Sequence, residues 1–285
     1  MSARIIDGKA IAAQVRKEVA ERVARAGVTP GFVDVLIGED PASKMYVGMK
    51  YKAAAELGMV AFDKLLPANA SLDEALALIE QLNADPSVHG IIVQSPLPPE
   101  STIDIFELQK ATSPLKDVDG LHPENQGLLM MGRARFVPAT PAGVLELLHR
   151  GEVEVEGRHV VVIGRSNLVG RPLSVLLSTK GRGLNATVTL CHTGTKDVGQ
   201  FTREADIVVV AAGHAKALTA DMVKPGVVVI DVGTNKDPDG KLVGDVDFGP
   251  VSEIASAITP VPGGIGPMTI AMLLANTLQA ARASG

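Results

Sequence analysis

Tryptophan is absent from this sequence and aromatic residues make up only 3% of it, so the interior has to be built from Val, Ile, Leu, Ala and Met. A single cysteine, Cys191, excludes an intramolecular disulfide. His122, His149, His159, His192 and His214 are scattered without a ligand pairing, so the expectation is a metal-free protein of a reducing compartment. Basic residues number 27 against 32 acidic ones, a net charge of −5, and no basic block occurs, which argues against nucleic acid as a partner. No apolar run approaches the length of a membrane span, and the opening MSARIIDGKAIAAQVRKEV lacks the apolar core of a signal peptide. A cytoplasmic enzyme or binding protein with no membrane partner is the expectation.

What is abundant is aliphatic. With 46% hydrophobic and 21% charged residues the chain has the composition of a folded globular protein, and 285 residues exceed one ordinary domain, so two lobes are expected. Helix and strand signals alternate. Ala12, Val15, Val19, Val23 and Ala26 recur at helical spacing over Lys9 to Ala26, and GFVDVLIG follows as an apolar strand. A helix over Pro41 to Leu57 carries Tyr46 and Lys50 four residues apart, so phenol and ammonium share one face and can tune proton chemistry together; a plain surface helix can carry the same pair. VAFDKLLP reads as a strand, Ser71 to Glu74 as a capping box opening a helix to about Asn83, and GIIVQ as a buried strand ended by SPLPP. Gln94 thus falls at a strand's carboxyl end, where open α/β sheets bind ligands. A helical stretch near Ile103 to Lys110 leads to a polar loop, Ala111 to Gln126, with Lys116, Asp117, Asp119, His122 and Asn125. Such a loop is either functional or an interdomain linker.

TPAGVLELLHR then leads as a helix into a second lobe. There GRHVVVIG is a buried strand, Gly164 to Gly170 a glycine-flanked turn, and RPLSVLLS a helix, the order that an anion site at a helix start requires. The spacing G-x5-G matches neither common nucleotide fingerprint, so context carries the argument. ATVTLC, ADIVVVAAG and GVVVIDVG add three near-continuous apolar strands, as in a sheet covered on both faces. The fold class is α/β: two αβα lobes with a cleft between them, the second a Rossmann-type doubly wound parallel sheet. After its second strand stands Cys191-His192-Thr193-Gly194-Thr195, with no carboxylate to repel a ribose 2′-phosphate. Arg165 and Thr193 can bind that phosphate by charge and hydroxyl donation, which favours NADP over NAD. In ITPVPGGIGPMT, Gly263 and Gly264 permit close approach of a ligand or simply form a stiff turn before a helix over Met268 to Ala281. That helix lies outside the strand alternation, so it is expected to cross back to the first lobe. The domains are then 1–136 plus 267–285, and 137–266.

In order, PASKMYVGMK, GIIVQSPLP, KDVDGLHPENQG, GRSNLVGRP, GDV and TPVPGGIGPMT resemble the motifs of the bifunctional methylenetetrahydrofolate dehydrogenase/methenyltetrahydrofolate cyclohydrolase family across essentially the whole chain. The resemblance implies an enzyme of one-carbon metabolism that oxidises 5,10-methylenetetrahydrofolate with NADP and hydrolyses the methenyl product to 10-formyltetrahydrofolate. The first domain would be the folate-binding catalytic one and the second would bind NADP. The family's catalytic lysine maps to Lys50, its tyrosine to Tyr46, its glutamine to Gln94 and its pterin-anchoring aspartate to Asp119. Pro262, Gly263 and Gly264 join the substrate set, and Gly164, Arg165, Ser166, Gly170, Thr193 and Thr234 form the cofactor set. Family members commonly carry Ser followed by Arg or Lys where this chain has Thr193-Gly194, which leaves one fewer cation for the 2′-phosphate. A homodimer through the cofactor lobe is also implied.

Two other readings stay open on residues alone: a folate dehydrogenase without the hydrolytic step, and a non-catalytic dinucleotide sensor on the same scaffold. Lys50 and Gln94 argue against the first, and the set Tyr46, Lys50, Gln94 and Asp119 against the second.

Overall fold

A computed structural model describes residues 2–181 and 184–284. In chain order the elements are β1 (Arg4–Ile5), α1 (Gly8–Val23), β2 (Gly31–Ile37), α2 (Pro41–Glu56), β3 (Val60–Leu66), α3 (Leu72–Ala84) and β4 (Gly90–Val93). Three helices follow, α4 (Ile105–Ala111), α5 (Pro123–Met130) and α6 (Ala139–Arg150). Then come β5 (His159–Ile163), α7 (Gly170–Ser178), β6 (Thr187–Cys191), α8 (Val198–Thr202) and β7 (Ile207–Val210). A 3₁₀ turn at Ala220–Met222 precedes β8 (Val228–Asp231), β9 (Asn235–Lys236), β10 (Leu242–Val243), α9 (Phe248–Ile254), β11 (Ala257–Ile258) and α10 (Ile265–Ser284).

The chain forms two compact units, one of Met1–Ala13 with Thr140–Thr269 and one of Gln14–Ala139 with Ile270–Gly285. The first unit is built on a parallel sheet of order β1-β11-β8-β7-β5-β6. Its central strands read as unbroken aliphatic runs because both faces are covered: Val208, Val210, Val229 and Val161 are all fully buried. From β5 the chain steps one way to β6 and then the other way to β7, so the strand order reverses at the carboxyl end of β5. The opening residues belong here rather than with the rest of the first 136, because β1 pairs parallel to β11, Arg4 with Ala257 and Ile5 with Ile258. Two residues are too few to leave a periodic signal.

The second unit holds a parallel sheet of order β3-β2-β4. Alternation along β2 sends Val33, Val35 and Ile37 to one face, where Ala75, Ile79, Leu82 and Leu108 close the core. The other face carries Phe32, Asp34 and Leu36; the Phe32 ring lies 6.0 Å from that of Tyr51 on α2. Helix α3 opens with the capping box read from the sequence: Glu74 N donates to Ser71 Oγ at 3.2 Å and Ser71 N to Glu74 Oε2 at 2.8 Å. The end of α10 lies in this unit, where the Asn276 amide donates to the carbonyls of Val118 at 2.8 Å and Val137 at 2.9 Å.

Several boundaries differ from expectation, and α10 runs over Ile265–Ser284 rather than Met268 to Ala281. Helix α1 ends at Val23, short of Ala26. The long polar loop closes early because α5 starts at Pro123, with the His122 ring as its cap: Glu124 N donates to His122 Nδ1 at 3.0 Å. No helix among the described residues is long and apolar enough to cross a membrane.

Candidate functional site

Helix α2 starts where Asp40 caps it, Ser43 N donating to the Asp40 carboxylate at 2.8 Å, with Pro41 in its first turn. That start fixes the rotation of the helix, and Tyr46 and Lys50 follow one turn apart on the face turned to the sheet. Lys50 is 2% exposed, and its ammonium lies 5.4 Å from the centre of the Tyr46 ring, close enough for a cation–π contact. Nζ donates to Gln94 Oε1 at 3.1 Å and to Asp34 Oδ1. Gln94 stands just past β4, its backbone N bonded to Val35 O at 3.0 Å and its Nε2 to Ser95 O at 3.0 Å, so the side-chain oxygen is turned to the lysine.

Asp34 was hidden in the sequence within the apolar run GFVDVLI. Every residue of β2 is buried, and Asp34 is 0% exposed. Burial raises its pKa, an effect that the Lys50 charge and hydrogen bond oppose. Burial, helped by the charges of Asp119 and Asp34, also pushes the Tyr46 phenol up, so Tyr46 stays protonated at neutral pH.

The polar loop sorts its residues by geometry. Asp117 is buried and accepts from Leu121 N, His122 N and the Asn125 amide at 3.1, 2.8 and 2.7 Å, so it fastens the loop. Lys116 caps the end of α3, donating to the carbonyls of Leu82 and Asp85. Asp119, two residues on, is half-buried and forms no hydrogen bond with another described residue. Desolvation drives its pKa up to about 7 against the opposing pull of Lys50, while Asp117 and Asp34 add to the rise. Tyr46, Lys50, Gln94 and Asp119 are therefore gathered in one unit around one buried cation.

The expected cofactor residues lie in the other unit, at the carboxyl ends of its strands. Gly164 follows β5 with φ +118°, and its N donates to Cys191 O at 2.8 Å. A Cβ there would stand 2.0 Å from Ala211 O, and one on Gly170 would stand 1.8 Å from Gly164 O. Only glycine fits at either place, which lets α7 begin directly on the turn. No side chain caps α7; Ser166 Oγ instead accepts from Val169 N at 3.1 Å. Arg165 is exposed. Thr193 follows β6 and Thr234 follows β8, both exposed at this same edge of the sheet. The glycine cradle, an exposed guanidinium and two hydroxyls at the strand-order reversal suit a dinucleotide. A cavity of about 360 Å³ in this unit opens instead at the amino ends, between Arg158, Asp206 and Lys224; its lining is tied up in the pairs Arg158–Glu154 and Lys224–Asp206. It is a crevice between salt bridges.

The turn at Pro262, Gly263 and Gly264 belongs to the six-stranded unit by compactness. Gly263 O accepts from Lys9 N at 2.9 Å, and a Cβ on Gly8 would meet Gly264 O at 1.9 Å. It is Gly8, at the start of α1, that lets the two backbones come this close, a contact between residues too far apart in sequence to foresee.

Together these features define a two-unit α/β protein with a nucleotide-type strand–turn–helix in one unit and a buried, carboxylate-bound lysine in the other. The catalytic domain of the tetrahydrofolate dehydrogenase/cyclohydrolase family matches residues 6–119, and the NAD(P)-binding domain of that family matches residues 138–285. The bifunctional protein FolD of Syntrophus aciditrophicus is 53% identical over 292 residues, covering 100% of this chain and 99% of its own. The crystal structure of the bifunctional methylenetetrahydrofolate dehydrogenase/cyclohydrolase FolD from Campylobacter jejuni superposes with a TM-score of 0.94 at 46% identity, with 99% of each chain covered. The Trypanosoma brucei enzyme, solved with NADP cofactor and inhibitor, gives a TM-score of 0.92 at 39% identity, covering 100% of this chain and 99% of that one. The chain belongs to the tetrahydrofolate dehydrogenase/cyclohydrolase family.

Proposed function

We propose that this protein oxidises 5,10-methylenetetrahydrofolate to 5,10-methenyltetrahydrofolate with NADP and hydrolyses that product to 10-formyltetrahydrofolate. The observation that carries the reading is the buried ammonium of Lys50, held by Gln94 and Asp34 beside Tyr46. NADP, when bound, takes the hydride from the bridging methylene of the folate. Gly164 and Gly170 leave room for its pyrophosphate against the backbone, and Arg165, Ser166, Thr193 and Thr234 offer the charge and hydroxyls for its phosphates and ribose.

The oxidation asks the protein for alignment more than for an acid or base. The hydrolysis needs proton transfer, and Lys50 is the group placed for it, with Gln94 orienting the amine and Tyr46 restraining it and shielding it from bulk water. Asp119 accepts two N–H bonds from the amino-pyrimidine edge of the folate, a pairing that its otherwise unbonded carboxylate supports. Pro262, Gly263 and Gly264, in the turn before α10, complete the proposed substrate set. The domain roles follow the family: Gln14–Ala139 with the end of α10 binds folate and carries the chemistry, and the six-stranded unit binds NADP. We extend the proposal to a cytoplasmic homodimer joined through the six-stranded unit, where Leu242 and Phe248 are exposed; sedimentation of the purified chain tests the dimer.

Spectrophotometry tests the function. With 5,10-methylenetetrahydrofolate the parent reduces NADP, and it consumes added methenyl substrate. Lys50→Met abolishes the hydrolysis and largely spoils the oxidation while NADP still binds. A parent without turnover overturns the function, and a Lys50→Met protein that hydrolyses at the parent rate overturns the role given to Lys50.

A further inference from the structure

A carboxylate has no packing reason to stand in the middle of β2. Its six companions in the strand are buried and the sheet needs only apolar side chains on that face, as Phe32 and Leu36 show. Asp34 nevertheless sits there at 0% exposure with a single hydrogen-bond donor, Lys50 Nζ, on Oδ1, and with Oδ2 bonded to nothing among the described residues. The charged and titratable groups around it are Lys50, Tyr46 and Tyr51 from α2, Asp63 from β3, and Asp119 with its neighbour Asp117 from the loop after β4. Only one of these is a cation. We propose that Asp34 is the positioning residue of the hydrolytic step, holding Lys50 in place and taking one of its ammonium protons while water adds to the methenyl carbon.

Resting on the function proposed above, the step balances as follows. One N–H proton passes from Lys50 to Asp34, leaving a neutral acid and an amine. The oxygen of water bonds to the methenyl carbon, the π electrons of the C=N bond move to nitrogen, and the amine of Lys50 takes the proton that water loses. Lys50 then gives that proton to N5 as the C–N5 bond breaks; the hydroxyl proton leaves to solvent as the formyl C=O forms, and Asp34 returns its proton to Lys50. The net change is one water consumed and one proton released. Burial already favours the protonated form of Asp34, which makes the first transfer feasible.

Hydride transfer needs no such proton store, so the two activities should separate. The experiment compares Asp34→Asn and Asp34→Val with the parent, following methenyl hydrolysis between about pH 6 and 9 and NADP reduction in parallel. The expected result is a loss of about 100-fold or more in the hydrolytic kcat of both variants, with a displaced pH profile, and a much smaller fall in NADP reduction. Hydrolysis at the parent rate with the parent profile overturns the proposal. So does an equal fall in both activities with an unmoved profile, which marks Asp34 as a prop for the fold alone. Should the Val variant, which leaves the buried Lys50 ammonium without this acceptor, fail to fold, the Asn variant, which keeps a carbonyl oxygen for it, decides. A parent that does not hydrolyse sinks the function itself, and this role with it.

Discussion

Lys50→Met should turn the stability of this protein into a function of pH. The parent buries a cation and an anion against each other, Lys50 at 2% and Asp34 at 0% exposure. Removing one member of such a pair leaves the other without compensation and costs about 3–5 kcal/mol. For a body of this size that is a fall of roughly 10 °C in melting temperature. Asp34 can escape part of the cost by taking a proton. Its pKa is already raised by burial against the pull of Lys50, and without Lys50 it rises further. The folded variant then binds a proton that the unfolded chain has released, so its stability falls as pH climbs through the interval between the two values of Asp34. Scanning calorimetry should show a deficit, relative to the parent, that is small in mild acid and full in mild alkali. Replacing both partners, Asp34→Val with Lys50→Met, should restore most of the melting temperature while leaving the enzyme inactive. A single variant with a pH-independent deficit, or a double variant no more stable than the single one, would refute the reasoning.

Three further outcomes follow from particular contacts. Asp119→Asn should raise the KM for folate about 10–100-fold, as expected for losing hydrogen bonds to a charged acceptor, with NADP affinity unchanged by titration. Because the carboxyl of Asp119 titrates at about 7, the parent's folate KM should fall as pH rises through that value, and the variant should lose the trend. Gly170→Ala puts a Cβ 1.8 Å from the carbonyl of Gly164 and should cost about 1–3 kcal/mol along with NADP affinity, seen in melting and in nucleotide titration. Gly249→Ala, in α9 with nothing within 4 Å of its Cβ, should be neutral or stabilise by about 0.5 kcal/mol in the same melts.

Several of the residues that matter here could be read from the sequence because local rules place them. The spacing of Tyr46 and Lys50 puts them on one helix face, the end of an apolar run puts Gln94 at a strand terminus, and the strand, glycine turn and helix order locates Gly164 to Gly170. Asp34 could not be read this way. One polar residue in a seven-residue apolar strand does not disturb the pattern that identifies the strand, and its partner is sixteen residues away on a helix whose rotation only the structure gives. The same limit hid the two roles of KDVDG. Asp117 and Asp119 look alike in the chain, but two backbone N–H groups and the Asn125 amide donate to the first, and no described residue donates to the second. His89 passed unnoticed for a similar reason: it is buried, accepting from Gly31 N at 3.1 Å across the sheet. The contact of Gly264 with Gly8 joins the two ends of the sequence, where no periodicity reaches.

The buried carboxylates themselves show which one is free to act. Asp231 accepts from the backbone amides of Gly233, Asp245 and Val246, and Asp245 from those of Ala212 and Gly213 and from the Asn235 side chain. Two glycines make room for them: a Cβ on Gly233 would stand 2.0 Å from the Asp245 carboxylate and one on Gly244 1.9 Å from that of Asp231. Such groups knit loops together, each carboxylate held by three donors, at least two of them backbone amides. Asp117 is of the same kind. Asp34 is built differently, because its one donor is a side chain that can give up a proton and its second oxygen accepts from no described residue. Burying an anion so sparsely costs stability that three backbone amides would have offset. A fold that places backbone donors around Asp231, Asp245 and Asp117, and none around Asp34, leaves that carboxylate answering to Lys50 alone, which is the arrangement that proton exchange between the two requires.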